Sequence, residues 1–194
     1  MNTKISQIMK DKIIKIGDSN YKTILNPRSL SLKIRKIAKR ILSDYSDSEP
    51  PILLVVTNGG MYFGACLSMF LQDLNFAHSV DTVRIKRYVS DKKTTNGVKI
   101  SSEPSINLQD KNIIIIEDIV DEGITLAFLH NYLKTKKAKS IEYCVLIEKK
   151  SHIKLDFDIK YSILSNIGPE WLVGFGMDSN FLLRGLRGIY AKLD

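Results

Sequence analysis

The stretch Ile113–Leu126 reads IIIIEDIVDEGITL and decides the fold, because it joins an apolar run, an acidic pair and a glycine-containing turn. Ile113–Ile116 is β-branched and apolar throughout, which is typical of a strand buried on both faces of a parallel sheet. The strand is predicted to end at Glu117 and Asp118. The turn at Asp121–Thr125 then leads into a predicted helix, so the stretch forms one strand–turn–helix unit.

Apolar runs on both sides of this unit predict further strands and helices. Strands are predicted over Ile52–Val56, Ser79–Tyr88 and Ile141–Ile147, with weaker ones over Tyr161–Leu164 and Leu172–Phe175. Helices are predicted from Pro27 (N-cap Asn26) to the break at Ser43–Pro51, from Met61 to about Asp73, and from the turn above to about Lys136. Because strands alternate with helices, the predicted fold class is α/β, with a mainly parallel, twisted sheet flanked by helices. Ligands of such sheets bind beyond the carboxyl ends of the strands.

One long polar segment interrupts this alternation. Val89–Leu108 contains Gly97, Ser101, Ser102 and Pro104 and is predicted to be a mobile loop. A loop of that length in a compact domain is either functional or disordered. The chain has 194 residues and shows no internal repeat, which fits a single domain.

The composition is that of a globular protein with excess positive charge. Lys and Arg number 29 against 21 Asp and Glu, giving a net charge of +8. This charge predicts attraction to anions, and nucleic acid and a small polyphosphate are both candidates, beside a merely solvated cationic surface. Since no RNA-binding motif, zinc finger or basic region with heptads is present, we do not expect a nucleic-acid partner.

The sequence also excludes several classes of protein. No apolar run approaches the roughly 20 residues that span a bilayer, so we expect no membrane partner. The N-terminal stretch lacks the features of a secretory signal. Two cysteines, Cys66 and Cys144, are too few for a disulfide framework or a four-ligand zinc site. We therefore expect a reduced, cytoplasmic protein.

The polar residues of the deciding stretch predict a site for a sugar phosphate. The carboxylates of Glu117 and Asp118 offer acceptors for a vicinal diol or for hydrated magnesium. The free N–H groups at the start of the following helix favour a phosphate, which Gly123 lets approach closely and Thr125 can bind through its hydroxyl. A Walker P-loop and a strand-flanked G-x-G-x-x-G are both absent, so ATPases and Rossmann dehydrogenases lose support.

With these residues in this order, Ile113–Leu126 resembles the 5-phosphoribosyl-1-pyrophosphate signature of purine phosphoribosyltransferases of the hypoxanthine-guanine type. Four further segments agree in order and spacing: Leu54–Gly60, Val83–Tyr88, Leu146–Lys150 and Trp171–Leu186. The resemblance covers roughly Leu25 to the C-terminus. It implies the type I phosphoribosyltransferase fold as a single domain over residues 1–194. A small hood is implied as well, formed mainly by residues from about 150 to 194 with a segment from about 1 to 24.

The resemblance also implies roles for the deciding stretch. Glu117 and Asp118 would bind the ribose 2- and 3-hydroxyls and help to hold Mg²⁺, the implied cofactor. Asp121 would be the catalytic general acid/base facing purine N7. The 5-phosphate would be held by the main chain of Glu122, Gly123 and Ile124 and by Thr125.

The remaining implied roles concern pyrophosphate and the purine base. Pyrophosphate would be bound by Asn58, Gly59 and Arg184, whose guanidinium suits bidentate contacts. The base would be contacted by Lys149, Trp171, Leu172 and Asp178. The Lys149 ammonium only donates hydrogen bonds, so it would accept a 6-oxo group and disfavour the 6-amino group of adenine. Trp171 would stack on the base, Leu172 would contact it through its backbone, and Asp178 would lie near a second magnesium ion.

Three positions depart from the family pattern. Asn58 stands where many relatives carry Lys, which removes a cation near the leaving group. Glu122 stands where Thr or Ser is usual. Its carboxylate is expected to stabilise the start of the helix until a bound phosphate occupies the backbone N–H groups there. Arg87 and Tyr88 stand where the mobile loop usually starts Ser-Tyr.

The implied function is purine salvage, converting hypoxanthine or guanine plus 5-phosphoribosyl-1-pyrophosphate to IMP or GMP plus pyrophosphate. Relatives are commonly dimers or tetramers, so we expect a homodimer or homotetramer. Two alternatives stay open. One is a xanthine-preferring enzyme of the same fold, and the other is an RNA-binding regulator on the same scaffold, suggested by the charge and the altered phosphate site.

Overall fold

A computed structural model of the chain describes residues 13–89, 96–149 and 155–193. Within these ranges the helices are α1 (Pro27–Asp44), α2 (Met61–Asp73) and α3 (Ile124–Thr135). The strands are β1 (Ile13–Ile16), β2 (Ser19–Leu25), β3 (Ile52–Thr57), β4 (Ser79–Val89), β5 (Asn96–Ser102), β6 (Asn112–Val120), β7 (Ser140–Lys149), β8 (Tyr161–Ile167), β9 (Leu172–Val173) and β10 (Ile189–Lys192). None of these helices has the length and hydropathy needed to cross a bilayer.

The larger sheet has six strands in the order β5-β4-β3-β6-β7-β8. Its strands pair in parallel except at one edge, where β5 runs antiparallel to β4. Ile113–Ile116 of β6 is fully buried between β3 and β7, as its β-branched composition predicts. The predicted α/β fold with a mainly parallel sheet flanked by helices is confirmed.

Helices cover both faces of this sheet. Ile114 and Ile116 of β6 belong to the core that contains the buried side of α1 and α2, whereas Ile113 and Ile115 pack with α3. This alternation follows from the two-residue period of a strand. It explains why Ile113–Ile116 is apolar at every position rather than at every second one.

The start of α1 is as predicted. The side chain of Asn26 accepts a hydrogen bond from the backbone N–H of Ser29 at 2.9 Å, and Pro27 occupies the first turn. The buried stripe of α1 consists of Leu30, Ile34, Ile37, Ala38 and Ile41. Helical spacing of apolar residues therefore places this helix on the sheet.

A second sheet of four antiparallel strands, in the order β1-β2-β10-β9, joins the two ends of the described chain. Its residues fall within the segments expected to form the hood. However, β8 also follows residue 150 and belongs to the larger sheet. A separate hood therefore remains a prediction, and its strands begin only at Leu172 on the C-terminal side.

The predicted loop Val89–Leu108 is corrected in part. Asn96–Ser102 forms β5, which pairs with β4 over Arg84–Val89. The polar composition hid this strand because β5 lies at a sheet edge, where its side chains are only partly covered and several are exposed. Residues 90–95 lie outside the described part of the chain.

Two predicted strand ends are also corrected. The strand that contains Glu117 and Asp118 continues to Val120, because backbone pairing with β7 extends that far. The strand predicted over Leu172–Phe175 stops at Val173. Gly174 and Phe175 follow with φ of 94° and 50°, which end the extended conformation.

A buried tyrosine connects the far end of α1 to β8. The hydroxyl of Tyr161, whose side chain is fully buried, donates to Asp44 Oδ2 at 2.7 Å. Lys160 Nζ lies 3.4 Å from the same oxygen, and the Arg40 guanidinium lies 5.0 Å above the Tyr161 ring. Burial raises the pKa of Tyr161, and its hydrogen bond to Asp44 adds to this effect.

We expect Tyr161→Phe to lower the free energy of unfolding by about 1–2 kcal/mol, because it removes a hydrogen bond to a partly exposed charged group. Urea denaturation, read as a change in midpoint at constant slope, measures this loss. Tyr62→Phe is the matched control, since Tyr62 is exposed, and its stability should stay within about 0.5 kcal/mol. Equal midpoints for Tyr161→Phe and the wild type would contradict the role given to the hydroxyl.

Candidate active site

The ends of β3, β6 and β7 carry many of the residues predicted for the site. These three strands are parallel neighbours, so their carboxyl ends meet at the same edge of the sheet. β3 is followed by the turn Asn58–Gly60 and then by α2. The peptide bond between Thr57 and Asn58 is cis. β7 ends at Lys149, a few residues beyond the buried core.

Glu117 and Asp118 lie on opposite faces of β6, because successive side chains of a strand alternate. Glu117 is buried at 7% exposure and lines a narrow cavity together with Gly123 and Thr125. Asp118 is half-buried and lines a larger cavity on the other face, and its Oδ1 accepts the Ile119 N–H at 2.9 Å. The acidic pair therefore faces two adjoining spaces.

The turn after β6 ends in a residue with left-handed backbone. Gly123 has a φ of 76° and caps α3, which begins at Ile124. Glycine adopts this conformation without the strain that a side chain would bring, so it is favoured here. Glu122 precedes the cap and is exposed, so it lies before the first turn of α3. The start of α3 lies at the narrow cavity, which Gly123, Thr125 and Leu126 line together with Glu117.

The larger cavity has a volume of about 280 Å³. Its lining residues are Asp118, Ile119, Asp121, Lys149, Trp171, Leu172, Met177 and Asp178. They come from four separate parts of the chain: the end of β6, the turn after it, the end of β7 and the segment around β9. The cavity therefore exists only once both sheets have formed.

An ion pair lies at the inner wall of this cavity. Lys149 Nζ is 3.2 Å from Asp121 Oδ2, and the side chains are 11% and 46% exposed respectively. A nearly buried ammonium is costly unless it is paired, so Asp121 stabilises Lys149 in this position. The cavity thus presents a cation and a carboxylate that contact each other.

An aromatic ring borders the same cavity. Trp171 is 61% exposed, and its indole N–H donates to the backbone carbonyl of Asp178 at 3.2 Å. Leu172 is buried and pairs with Ala191 of β10. The hydrogen bond fixes one edge of the indole, and much of the ring surface stays accessible to a flat ligand.

The segment after β9 is organised by an arginine. Arg184 Nη2 lies 2.6 Å from Asp178 Oδ1, and Arg184 Nη1 donates to the carbonyl of Gly176. The other carboxylate oxygen of Asp178 accepts the Phe181 N–H at 2.7 Å. The guanidinium predicted to bind pyrophosphate is thus engaged with the loop itself.

The glycine turn after β3 contacts the acidic end of β6. A Cβ built on Gly59 would lie 2.0 Å from Asp118 Oδ2, so a side chain at this position would displace the carboxylate. Asn58 is exposed at the same turn. The turn predicted to meet pyrophosphate therefore adjoins the carboxylate predicted to meet the ribose.

The structure brings most of the predicted residues together. Asp118, Asp121, Lys149, Trp171, Leu172 and Asp178 share the larger cavity, and Glu117, Gly123 and Thr125 share the narrow one. Their individual roles remain predictions. Sequence reasoning missed Ile119 and Met177, which line the cavity, and Gly176. The glycine was detectable in principle, because Gly174 and Gly176 flank one residue in a short apolar stretch.

The carboxylates fit a magnesium ion only together with a substrate. Within residues 13–89, 96–149 and 155–193, no group of three or more His, Cys, Asp or Glu side chains is arranged to hold a metal ion. Magnesium usually keeps several waters and is bound through one or two carboxylates plus substrate phosphates. Glu117, Asp118 and Asp178 supply ligands of that chemistry at this edge of the sheet.

Comparison with known proteins identifies the family of the chain. The phosphoribosyl transferase domain matches residues 20–180, and the chain belongs to that family. A hypoxanthine-guanine phosphoribosyltransferase of Aquifex aeolicus is 27% identical over 179 residues, covering 92% of this chain and 98% of the relative. One from Crithidia fasciculata is 32% identical over 159 residues, covering 79% and 76%.

Solved structures agree with this assignment. A crystal structure of a hypoxanthine-guanine phosphoribosyltransferase from Bacillus anthracis superposes with a TM-score of 0.79 at 27% identity, covering 93% of this chain and 99% of that one. The structure of a Trypanosoma cruzi hypoxanthine phosphoribosyl transferase gives a TM-score of 0.83 over 92% and 94%, at 24% identity. The latter supports the fold, which is the type I phosphoribosyltransferase fold.

We expect Glu122→Thr to tighten binding of magnesium 5-phosphoribosyl-1-pyrophosphate by less than about fivefold, because an exposed charge interaction is worth up to about 1 kcal/mol. Calorimetric titration measures the effect, which should shrink as salt screens the charge. Glu122→Gln is the matched variant that removes only the charge and should bind as Glu122→Thr does. Weaker binding by both variants would mean that Glu122 makes a useful contact.

Proposed function

We propose that this chain is a purine salvage transferase that converts hypoxanthine or guanine plus 5-phosphoribosyl-1-pyrophosphate into IMP or GMP plus pyrophosphate. The observation that carries the proposal is the cavity in which the Lys149–Asp121 ion pair adjoins the exposed ring of Trp171. A 6-oxopurine is a flat heterocycle with polar atoms at O6 and N7. The three side chains offer a cation, a carboxylate and an aromatic face to those features.

Lys149 supports the choice of a 6-oxopurine over a 6-aminopurine. Its ammonium is nearly buried and can only donate hydrogen bonds, so an oxygen at position 6 gives it an acceptor. An amino group at that position would bring donors against donors. Adenine is therefore excluded by an unfavourable contact, which is a common basis of specificity.

Asp121 would move the proton that the reaction requires. In the purine tautomer protonated at N7, the lone pair of N9 attacks C1 of the ribose, and the bond from C1 to the pyrophosphate oxygen breaks. Pyrophosphate leaves with the electron pair, and Asp121 accepts the N7 proton. The contact with the Lys149 ammonium at 3.2 Å holds the Asp121 carboxylate at the cavity where N7 would lie.

The phosphoribosyl part would bind along the end of β6. The Asp118 and Glu117 carboxylates would accept hydrogen bonds from the ribose hydroxyls, and the 5-phosphate would use the N–H groups from Glu122 to Thr125. Pyrophosphate would lie near Asn58, Gly59 and Arg184. Mg²⁺, when bound with this substrate, supplies positive charge to the pyrophosphate oxygens.

Two further properties belong to the proposal. Exposed apolar side chains on α1 and α2, Leu32, Met61, Tyr62 and Met69, support self-association, so we propose a homodimer or homotetramer. The thiols Cys66 and Cys144 are free, which fits a reducing, cytoplasmic location.

The basic surface gives limited support to an RNA-binding regulator. α1 carries many of the cations, but three of them contact the protein itself. Arg35 lies 4.7 Å above the Phe70 ring, Arg40 lies above Tyr161, and Lys33 donates to the Ile163 carbonyl. Cations used in this way cover apolar surface rather than form a phosphate-binding stripe.

An absorbance assay with hypoxanthine, guanine, xanthine and adenine, each with 5-phosphoribosyl-1-pyrophosphate and magnesium, tests the proposal. We expect turnover of hypoxanthine or guanine and none of adenine. Turnover of xanthine above both would establish the xanthine-preferring alternative. Salt-dependent RNA binding without turnover of any base would replace the proposal with a regulatory function.

We expect Lys149→Ala to lower kcat/KM for the 6-oxopurine by about tenfold or more, since a hydrogen bond to a charged group is worth roughly 1.5–3 kcal/mol. Binding of 5-phosphoribosyl-1-pyrophosphate should change little. Steady-state kinetics with each substrate varied separate the two effects. Lys39→Ala, at an exposed position on α1, is the control. An unchanged base KM and kcat would remove Lys149 from the base site.

We expect Asp121→Asn to reduce kcat by about 10²–10⁴-fold, the usual contribution of a general acid or base. The amide retains the shape of the side chain, so calorimetry should find nearly unchanged 5-phosphoribosyl-1-pyrophosphate affinity. Asp158→Asn, at an exposed position, should behave as the wild type. A wild-type kcat in Asp121→Asn would show that the proton moves elsewhere.

A further inference from the structure

We propose that Arg184 is a positioning residue, which holds the loop after β9 against the Gly59 turn and thereby places Trp171 at the base cavity. The inference rests on the proposed function in one respect, which is that the cavity is the site of the purine base. Arg184 would hold the loop in this way whether or not it also contacts pyrophosphate. The inference is carried by three sets of contacts within the protein.

The guanidinium makes a two-pronged contact with the loop. One nitrogen, Nη2, lies 2.6 Å from Asp178 Oδ1, and the other, Nη1, donates to the carbonyl of Gly176. The Arg184 side chain is only 23% exposed. Charge-assisted hydrogen bonds from a planar fork fix the relative position of both acceptors. Arg184 therefore sets the conformation of the segment between Gly176 and Asp178.

Asp178 connects Arg184 to Trp171. While Oδ1 pairs with Arg184, Oδ2 accepts the Phe181 N–H and the backbone carbonyl accepts the Trp171 indole N–H at 3.2 Å. Movement of Asp178 would remove the hydrogen bond that orients the indole. Arg184 thus acts on Trp171 through a single intermediate residue.

Gly176 joins the same loop to the opposite wall of the site. Its φ is 108°, and a Cβ built on it would lie 1.9 Å from the carbonyl oxygen of Gly59. The two backbones are therefore in direct contact. Gly59 in turn adjoins the carboxylate of Asp118. By holding the Gly176 carbonyl, Arg184 keeps the base side of the site at a fixed separation from the turn before α2.

A direct pyrophosphate ligand and a positioning residue respond differently to Arg184→Lys. Lysine retains the positive charge but is a compact point charge that lacks the fork. A ligand role predicts weaker 5-phosphoribosyl-1-pyrophosphate binding and an undisturbed tryptophan in the protein without substrates. A positioning role predicts a disturbed tryptophan before any substrate is added, and a raised KM for the purine.

Trp171 is the single tryptophan of the chain, so its fluorescence reports this loop alone. We expect Arg184→Lys to change the emission maximum and the acrylamide quenching of the substrate-free protein. The base KM should rise about tenfold, as for the loss of one charge-assisted hydrogen bond. Arg187→Lys is the matched control at an exposed arginine of the same segment and should match the wild type.

Gly176→Ala tests the same action without altering any charge. The Cβ of the alanine would force the loop away from Gly59. We therefore expect the same change in tryptophan emission as in Arg184→Lys, although Arg184 is intact. Circular dichroism melting shows whether either variant has lost its fold, and one folded variant suffices. Unchanged emission and quenching in a folded Arg184→Lys or Gly176→Ala protein would overturn the inference. If the wild type turns over no purine, the proposed function fails while the fluorescence result still stands.

Discussion

The pairing of β6 between β3 and β7 is the constraint on which the rest of the structure depends. This pairing gives Ile113–Ile116 a neighbouring strand on both edges and a helix layer on both faces, so all four side chains are buried. This register sets the end of β6 beside Gly59 and Lys149. The first polar residues after the apolar run must then lie at one edge of the sheet. Burial of four isoleucines thereby decides where the charged groups meet.

The cations at that edge of the sheet contact neighbouring carboxylates and are not balanced by solvent alone. Lys149 pairs with Asp121, and Arg184 pairs with Asp178, so each nearly buried or half-buried cation has a carboxylate beside it. Such pairs are costly to break on one side only. A ligand that enters the cavity must therefore offer each group a partner of the right kind. That requirement selects for acceptors near Lys149 and favours ligands that leave the Arg184 pair intact.

Much of the fold and part of the site could be predicted from the sequence. The strand Ile113–Ile116, the capped start of α1 and the lysine at the end of β7 are encoded in local patterns that need no partner. β5 and the strands at the two chain ends were missed, because short or polar strands become stable only by pairing with residues far along the chain. The Arg184 contacts were missed for the same reason, since they depend on the left-handed residues that shape the loop. Local pattern indicated a sugar-phosphate site at the end of β6, whereas the expected roles in base and pyrophosphate binding came from the family resemblance.

The departure from the family pattern at Asn58 matters more because Arg184 is already bonded to the protein. A pyrophosphate group carries several negative charges, and Asn58 contributes no cation where the family pattern described above has a lysine. The Arg184 guanidinium is already bonded to Asp178 and to the Gly176 carbonyl, so much of its charge is compensated before a substrate arrives. The backbone contact between Gly176 and Gly59 places the loop against the turn where that lysine would stand. Shape at this turn is thus fixed by backbone packing. In the proposed reaction, the charge on the leaving group would be met by the metal ion and backbone N–H groups more than by side-chain cations.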